Sequence, residues 1–365
     1  MNILWFTWKD RTHPQAGGAE LLNEELAKRL VKDGHNVIFL VGGYTHSKKK
    51  EIIDGYTVIR VGGRYTVYLA VFLYYLRHLR GWANFIIEEV NTMPFMTQWY
   101  TKEKKVLLIY QLCREIWFHQ IFFPLNVIGF FIEPLYLWLL RKNIVLTESE
   151  SAKIDMLHYG FDKKKVHIFP AGIELPAVKD ITSHKKYTAF TILSLGAIRE
   201  MKRTCHQLQA FELAKKDIPE LQLKIGGDGS GAYGRKVLNL IHNSVYKKDI
   251  EYLGKVSKDK KKKLMQDCHI ILGTSVKEGW GLTITEAASQ GTPAVVYNVD
   301  GLRDSVRKNQ TGLICNNTPE QLANAIKKLY KDKKLYKKLR KNAWIWSKTL
   351  TFDNCYKVFK NNLKL

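Results

Sequence analysis

Two glutamates eight positions apart, Glu278 and Glu286, enclose the glycine-rich run 279–285. If the whole span were one helix, eight steps of about 100° would leave the two carboxylates roughly 80° apart. The glycines favour a loop followed by a helix, in which Gly279 and Gly281 let the backbone approach a ligand and Glu286 lies in the first helical turns. Because the N–H groups at a helix start bind phosphate, we interpret the segment as a site for a phosphorylated sugar.

The composition is that of a globular protein. The chain has 365 residues, of which 45% are hydrophobic and 25% are charged, and its length predicts two domains. The five cysteines show neither a C-x-x-C pair nor the spacing of metal ligands, so we expect reduced thiols in a cytoplasmic protein. The N-terminus lacks a charged region followed by a full apolar one, and from this we expect no signal peptide.

The net charge of +24 is unevenly distributed along the chain. Residues 1–180 carry 23 basic and 18 acidic side chains, or +5, whereas residues 181–365 carry 35 and 16, or +19. Anionic lipid headgroups are one partner that such a surface attracts, and a solvated lysine-rich surface without a partner is the alternative. Nucleic acid is disfavoured because lysine predominates, whereas a base-reading face is typically rich in arginine.

The first half of the sequence has the pattern of a Rossmann-type unit. An apolar strand at 3–6 leads through a loop ending in Gly17-Gly18 to a helix over 19–32, and a second apolar strand follows at 36–41. Strands that are apolar throughout are typical of a parallel sheet covered on both faces. The order strand, glycine loop, helix, strand opens a doubly wound α/β domain.

The same pattern begins again near residue 188. It predicts further strands at 190–195, 221–225, 250–256, 269–272 and 293–297. We therefore predict an α/β protein with two Rossmann-like domains facing across a cleft. The expected bounds are 1–175 for the first domain, 176–345 for the second, and 346–365 for a final helix that packs back toward the first domain.

Two segments of the first half, 65–82 and 116–140, are unusually apolar. The first ends in Arg77, His78 and Arg80, as an interfacial amphipathic helix does. The second is nearly long enough to span a bilayer, but two prolines, an asparagine and a glutamate interrupt it, which disfavours a transmembrane helix. We interpret both segments as buried or interfacial helices, with contact to a membrane surface and core packing alone as the two alternatives.

Several short motifs then occur in an order that resembles one family, the retaining glycosyltransferases of family four, which have the glycosyltransferase-B fold. The resemblance covers nearly the whole chain, and its motifs are Gly17-Gly18, Ser149-Glu-Ser-Ala-Lys153, Phe169-Pro-Ala-Gly-Ile173, Leu195-Gly-Ala-Ile-Arg199 with Lys202, Ile225-Gly-Gly-Asp-Gly229, the pair Glu278 and Glu286, Gly291-Thr-Pro-Ala-Val295, Gly301-Leu-Arg-Asp304 and Thr311-Gly-Leu313.

The resemblance implies roles for the charged residues. Arg199 and Lys202 correspond to the pair that holds the donor diphosphate, where fixed cations stabilise the negative charge on the departing nucleotide. Glu278 corresponds to the acid that bonds the donor sugar hydroxyls, and Glu286 to the acid that holds the ribose hydroxyls. An exposed helix start with unrelated charges is the structural alternative. The sequence contains no D-x-D, which fits transfer without a metal or other cofactor, with protein cations in place of Mg²⁺.

The resemblance also implies backbone contacts to the donor. These are expected from the helix start at Gly281, Leu282 and Thr283, from the turn at Gly227 and Asp228, and from the first-domain loop at Gly17 and Gly18. Ordinary strand-to-helix turns are the alternative for the glycine pairs.

One position departs from the family pattern. The stretch that begins at Tyr110 resembles one that often begins with histidine, so the identity of any active-site histidine is open, with His119 and His13 as candidates. Catalysis does not require it, because in a front-side retaining displacement the leaving phosphate accepts the acceptor proton.

The resemblance thus implies a hexosyltransferase that moves a hexose from a nucleotide diphosphate sugar to a hydroxyl of a glycan or lipid-linked acceptor. The first domain, 1–175, is expected to bind the acceptor, and the second, 176–345, the nucleotide sugar. The protein is expected in the cytoplasm, in part on the anionic inner face of the membrane. A nucleotide-sugar epimerase or phosphorylase is disfavoured by the two glutamates with Arg199 and Lys202. A catalytically silent subunit that holds nucleotide sugar for a partner transferase is the alternative of another class.

Overall fold

The computed structural model describes residues 1–363, without the side chain of Gln120. The chain forms two compact units, one from residues 1–172 together with those from 352 onward, and one from residues 173–351. The first boundary lies three residues before the predicted one, at the point where the strand-rich first half ends. Each unit contains its own parallel sheet.

The first unit is built on an eight-stranded sheet in the order β3-β4-β2-β1-β5-β6-β7-β8. Its strands are β1 (Asn2–Phe6), β2 (Asn36–Val41), β3 (Lys50–Ile53), β4 (Tyr56–Arg60), β5 (Phe85–Glu89), β6 (Lys104–Leu108), β7 (Val145–Thr147) and β8 (Val166–Ile168). All neighbours are parallel except β3 and β4. The central strands are apolar on both faces because helices cover both.

Five helices of the first unit precede the second unit along the chain. They are α1 (Gly18–Lys32), α2 (Val67–Tyr74), α3 (Trp117–Gln120), α4 (Leu125–Leu140) and α5 (Glu150–His158), and α2 continues as a π-helical turn over Tyr75–Leu79. Helix α1 packs on the sheet face that carries Trp5 and Ile87. Helices α2 and α4 pack on the opposite face.

The second unit has a six-stranded parallel sheet in the order β11-β10-β9-β12-β13-β14. Its strands are β9 (Thr191–Leu195), β10 (Gln222–Gly226), β11 (Ile250–Gly254), β12 (Ile270–Gly273), β13 (Ala294–Tyr297) and β14 (Gly312–Cys315). Its helices are α6 (Thr204–Lys215), α7 (Ala232–Asn243), α8 (Lys258–Asp267), α9 (Leu282–Ser289), α10 (Pro319–Lys331) and α11 (Lys333–Ser347).

The final helix differs from the prediction in its start. Trp346 belongs to α11 and is buried in the second unit. A turn follows α11, and in it the N–H of Leu350 donates to the carbonyl of Ser347 at 3.0 Å. Helix α12 (Phe352–Leu363) begins after this turn and packs on α1, where Arg29 bonds Asp353 at 2.8 Å. The predicted end at residues 364 and 365 lies outside the described residues.

Neither apolar segment of the first unit forms a membrane span. Among residues 1–363, no helix combines the length and the hydropathy that crossing a bilayer requires. Helix α4 buries one side, including Glu133, Tyr136 and Leu137, and exposes the other.

Candidate active site

The candidate site of the second unit lies at the carboxyl edge of its sheet. The chain runs from β9 to β10 on one side of the sheet, and it later returns to β12 on the other side of β9. Ligands of doubly wound proteins bind outside the carboxyl ends of the strands at such a switch point. Because the strands are parallel, the loops after β9, β10 and β12 all reach this edge, and they carry most of the predicted site residues.

Two hydrogen bonds join the loop after β9 to the loop after β12. Thr274 Oγ1 donates to the carbonyl of Lys202 at 2.7 Å, and the N–H of Val276 donates to the carbonyl of Met201 at 2.7 Å. These bonds fix the backbone that carries the basic residues against the backbone that carries Glu278.

Lys202 and Glu278 form an ion pair within this framework. Lys202 Nζ bonds Glu278 Oε1, which also accepts from Ser275 Oγ at 2.5 Å. The two side chains are 28% and 17% exposed, so a ligand reaches both. Arg199 is exposed and makes no side-chain hydrogen bond or ion pair within residues 1–363, which leaves its guanidinium free for an anion.

Glu286 is the more buried of the two glutamates. It lies on α9 with its side chain 5% exposed, and Lys261 Nζ of α8 approaches Oε2 at 2.6 Å. Burial raises the pKa of the Glu286 carboxyl, and the Lys261 charge opposes that rise. Sequence reasoning missed Lys261, because it lies in the run Lys260–Lys263 and nothing in the run distinguishes one lysine from the next.

Gly281, Leu282 and Thr283 form the start of α9, as predicted for a loop followed by a helix. Gly281 is the N-cap residue, and a Cβ there would lie 2.5 Å from Ser305 Oγ, so a larger residue would displace that side chain. The N–H of Leu282 is turned back to Trp280 O at 3.0 Å. The N–H groups of Ile284 and Thr285 bond the carbonyl of Gly281, so the N–H of Thr283 and the helix dipole supply the positive charge at this end of α9.

Gly227 and Asp228 follow β10, the other neighbour of β9. A Cβ at Gly227 would lie 2.0 Å from the carbonyl of Gly196, so this crossing of two loops also requires glycine. Tyr252 Oη holds the turn by donating to Gly227 O at 3.0 Å. Asp228 is exposed, and hydrogen bonds from Ser230 lower the pKa of its carboxyl.

Gly17 and Gly18 belong to the first unit, whereas the other predicted site residues belong to the second. Gly17 is the N-cap of α1, and its N–H donates to Glu20 Oε2 at 2.6 Å. Glu20 Oε1 in turn lies 3.1 Å from Lys9 Nζ. These contacts fix the loop that ends at Gly17 to the first turn of α1.

Tyr110, which stands where the family often has histidine, is buried in the first unit. Its hydroxyl donates to Asn23 Oδ1 at 2.5 Å, and burial raises the pKa of the phenol. Tyr110 therefore supplies a fixed hydrogen bond to α1. His119 lies on the short helix α3.

Comparison with known proteins follows the same division. The model "Glycosyl transferases group 1" matches residues 179–346, and the model "Glycosyltransferase Family 4" matches residues 16–176. A poly(glycerol-phosphate) alpha-glucosyltransferase of Bacillus subtilis (strain 168) is 32% identical over 171 residues, which are 46% of this chain and 24% of that protein. The chain thus spans about a quarter of the length of that relative.

Two solved structures resemble the whole chain at low sequence identity. The sucrose-phosphate synthase of Thermosynechococcus elongatus has a TM-score of 0.81 and 16% identity, over 100% of this chain and 98% of that one. Anabaena Alr3699/HepE in complex with UDP-glucose has a TM-score of 0.73 and 16% identity, over 100% of both chains. With two successive glycosyltransferase models matched between residues 16 and 346, the chain is a glycosyltransferase of the family-four type with the glycosyltransferase-B fold.

Proposed function

We propose that the protein transfers a hexose from a nucleotide diphosphate sugar to an acceptor hydroxyl with retention of configuration and without a metal ion. The observation that supports this is the joined pair of loops after β9 and β12, which holds Lys202 and Glu278 in contact beside the start of α9. The likeness to a protein crystallised with UDP-glucose supports a nucleotide sugar as donor.

Each residue of the site has a part in this chemistry. Arg199, Lys202 and the start of α9 supply the positive charge that stabilises the departing diphosphate. Glu278 accepts hydrogen bonds from the donor sugar, and Glu286 with Lys261 binds the ribose hydroxyls. The leaving phosphate removes the proton of the attacking hydroxyl.

A panel of nucleotide diphosphate sugars that begins with UDP-glucose tests this proposal. The matching donor at 100 times its dissociation constant is expected to stabilise the protein by about 2.7 kcal/mol. The protein should also hydrolyse that donor slowly, release the α-anomer first in proton NMR, and keep its rate in EDTA.

A different experimental result would contradict each part of the proposal. First release of the β-anomer contradicts retention, and loss of activity in EDTA contradicts catalysis by protein cations alone. Donor binding without turnover, with any sugar or polyol offered as acceptor, would identify the protein as a silent binding subunit.

We further propose that the first unit binds an anionic membrane surface through α4. Six large apolar side chains on α4 are exposed, from 43% to 71%, and their spacing places them on one side of the helix: Leu125, Ile128, Phe131, Ile132, Leu135 and Trp138. The preceding segment exposes Phe118, Phe122 and Phe123 as well. Arg141 lies over the Trp138 ring at 4.4 Å, so a cation borders the apolar face as it does in interfacial helices.

Vesicle flotation tests this surface. The double variant Phe131→Ser/Leu135→Ser should bind vesicles of phosphatidylglycerol and phosphatidylcholine at least about tenfold more weakly, because each buried side chain contributes about 1.5–3 kcal/mol. Ile154→Ser, which changes an apolar side chain of α5 that is 62% exposed, is the matched control and should bind as the wild type does. Equal binding by the double variant, or binding that ignores both lipid charge and salt, would contradict the proposal.

A further inference from the structure

A short series of buried hydrogen bonds ends at the backbone of Lys202. Gln207 Nε2 donates to Thr274 Oγ1 at 2.7 Å, and Thr274 Oγ1 donates to the carbonyl of Lys202 at 2.7 Å. Gln207 is 5% exposed and Thr274 is 1% exposed, so bulk water does not compete for these bonds. The series therefore connects the start of α6, the residue after β12 and the loop that carries Lys202.

The turn that follows Lys202 has a backbone conformation that its sequence disfavours. Arg203 lies between the 3₁₀ turn Glu200–Lys202 and helix α6, with a φ of 50° and a ψ of 44°. This left-handed conformation suits glycine and is unfavourable for residues with a Cβ. Thr274 Oγ1 also lies 3.4 Å from the carbonyl of Arg203, so its hydroxyl contacts both carbonyls of the turn and stabilises it.

Gln207 fixes the direction in which the Thr274 hydroxyl donates. A threonine hydroxyl has one hydrogen and two lone pairs, and it rotates to suit its neighbours. Because the amide N–H of Gln207 occupies a lone pair of Oγ1, the hydroxyl hydrogen is directed to the carbonyl of Lys202. Without Gln207 the hydroxyl is free to rotate away, and the left-handed turn loses this support.

The burial of Gln207 contributes little to the stability of the whole fold. Its Oε1 is buried and has no hydrogen-bond partner within residues 1–363, so the bond to Thr274 is the one that its amide makes there. A buried amide with an unpaired oxygen is less favourable than an apolar side chain of similar shape. Gln207 is therefore better explained by the group that it positions than by the stability that it adds.

We propose that Gln207 is a positioning residue for the transfer step, which acts through Thr274 to hold the turn at Arg203 and, with it, the ammonium group of Lys202 against Glu278. The inference rests on the proposed transferase function and adds to it a residue that does not touch the donor. A cation on a fixed backbone needs no reorganisation when charge develops on the leaving phosphate.

Gln207→Met keeps an unbranched side chain and removes its hydrogen bond, and it tests the inference in the full chain. For the nucleotide sugar selected from the panel that begins with UDP-glucose, kcat of hydrolysis should fall by about three- to tenfold, the range expected for one hydrogen bond. The KM should stay within about twofold, because Lys202 acts on charge that develops in the transition state. The melting temperature should equal that of the wild type or exceed it, since no unpaired amide oxygen is then buried.

Gln209→Met, which changes an exposed glutamine of the same helix, is the matched control and should behave as the wild type does. A lower kcat in Gln207→Met together with a lower melting temperature and a higher KM would mean that Gln207 only stabilises the second unit. That combination would overturn the inference.

Arg203→Gly provides a second, independent measurement. Glycine adopts the left-handed conformation readily, so in this background the turn no longer depends on Gln207. Adding Gln207→Met to Arg203→Gly should therefore lower kcat by less than about twofold, a non-additive result for residues that act through one turn. An equal loss of kcat in both backgrounds would contradict the action of Gln207 through this turn.

Hydrogen exchange tests the turn without any turnover. The N–H of Arg203 bonds the carbonyl of Glu200 at 2.9 Å, and a peptide over residues 199–206 should exchange at least about threefold faster in Gln207→Met than in the wild type. Unchanged exchange would overturn the inference. If Lys202→Ala lost turnover while Gln207→Met kept it, the inference alone would fail. If the wild type hydrolysed no donor, the transferase proposal would fail, and exchange would still decide whether Gln207 holds the turn.

Discussion

Lys202→Ala is expected to lower donor turnover by about 10²–10³-fold, which corresponds to roughly 3–4 kcal/mol of transition-state stabilisation. The ammonium group is held by Glu278, and its backbone is fixed by Thr274, so it needs no rearrangement to meet a departing phosphate. Because the charge on the phosphate grows as the glycosidic bond breaks, the loss should affect kcat more than donor binding. Steady-state hydrolysis of the donor, with binding measured separately by calorimetry, distinguishes the two.

The ion pair between Lys202 and Glu278 leads to a second prediction. Glu278→Ala should also reduce turnover, and the double variant should lose less than the product of the two single losses, since the residues act as a unit. Lys216→Ala, which removes an exposed lysine at the end of α6, is the control for net charge and should retain full activity. A Lys202→Ala enzyme with unchanged kcat would remove Lys202 from the proposed mechanism.

The local features of the second-unit site could be predicted because they are continuous in sequence. The glycines at 279 and 281 indicated a loop before a helix, and the structure has α9 beginning at Leu282. The family resemblance indicated that Lys202 and Glu278 serve one site, and the structure pairs them because parallel strands bring their carboxyl ends to one edge. Lys261 could not be found in this way, because the contact with Glu286 depends on how α8 packs and leaves no local signal.

The features that escaped prediction depend on contacts between distant residues. Helix α12 starts at Phe352, six residues later than predicted. The sequence did not indicate this start, because the turn after α11 contains neither glycine nor proline. Glu148 reads in sequence as an ordinary polar residue at a strand end. Its burial depends on residues distant in sequence, and therefore only the structure distinguishes it from the exposed Glu150.

Glu148→Gln is expected to make the first unit less sensitive to rising pH and more stable than the wild type at pH 8. The folded state raises the pKa of Glu148 from 4.5 to about 8, so between these values the native protein keeps a proton that the unfolded chain releases. The free energy of unfolding of the wild type must then fall as pH rises through this window, by up to about 5 kcal/mol at about 1.36 kcal/mol per unit. Below pH 4.5 both states are protonated, and the two proteins should be about equally stable.

Hydrogen exchange of peptides from β6 and β7, corrected for the intrinsic pH dependence of amide exchange, measures this difference within the first unit. Part of the decrease in stability with rising pH should remain in Glu148→Gln, because burial raises the pKa of Glu89 to about 7 as well. Glu150→Gln should match the wild type at every pH. A Glu148→Gln protein destabilised equally at pH 5 and pH 8 would show that the native carboxyl is ionised and held by a partner. The pH at which the variant gains stability separates a protonated buried acid from an ionised one, because only a carboxyl that keeps its proton in the folded state makes the wild type less stable than the glutamine variant as pH rises.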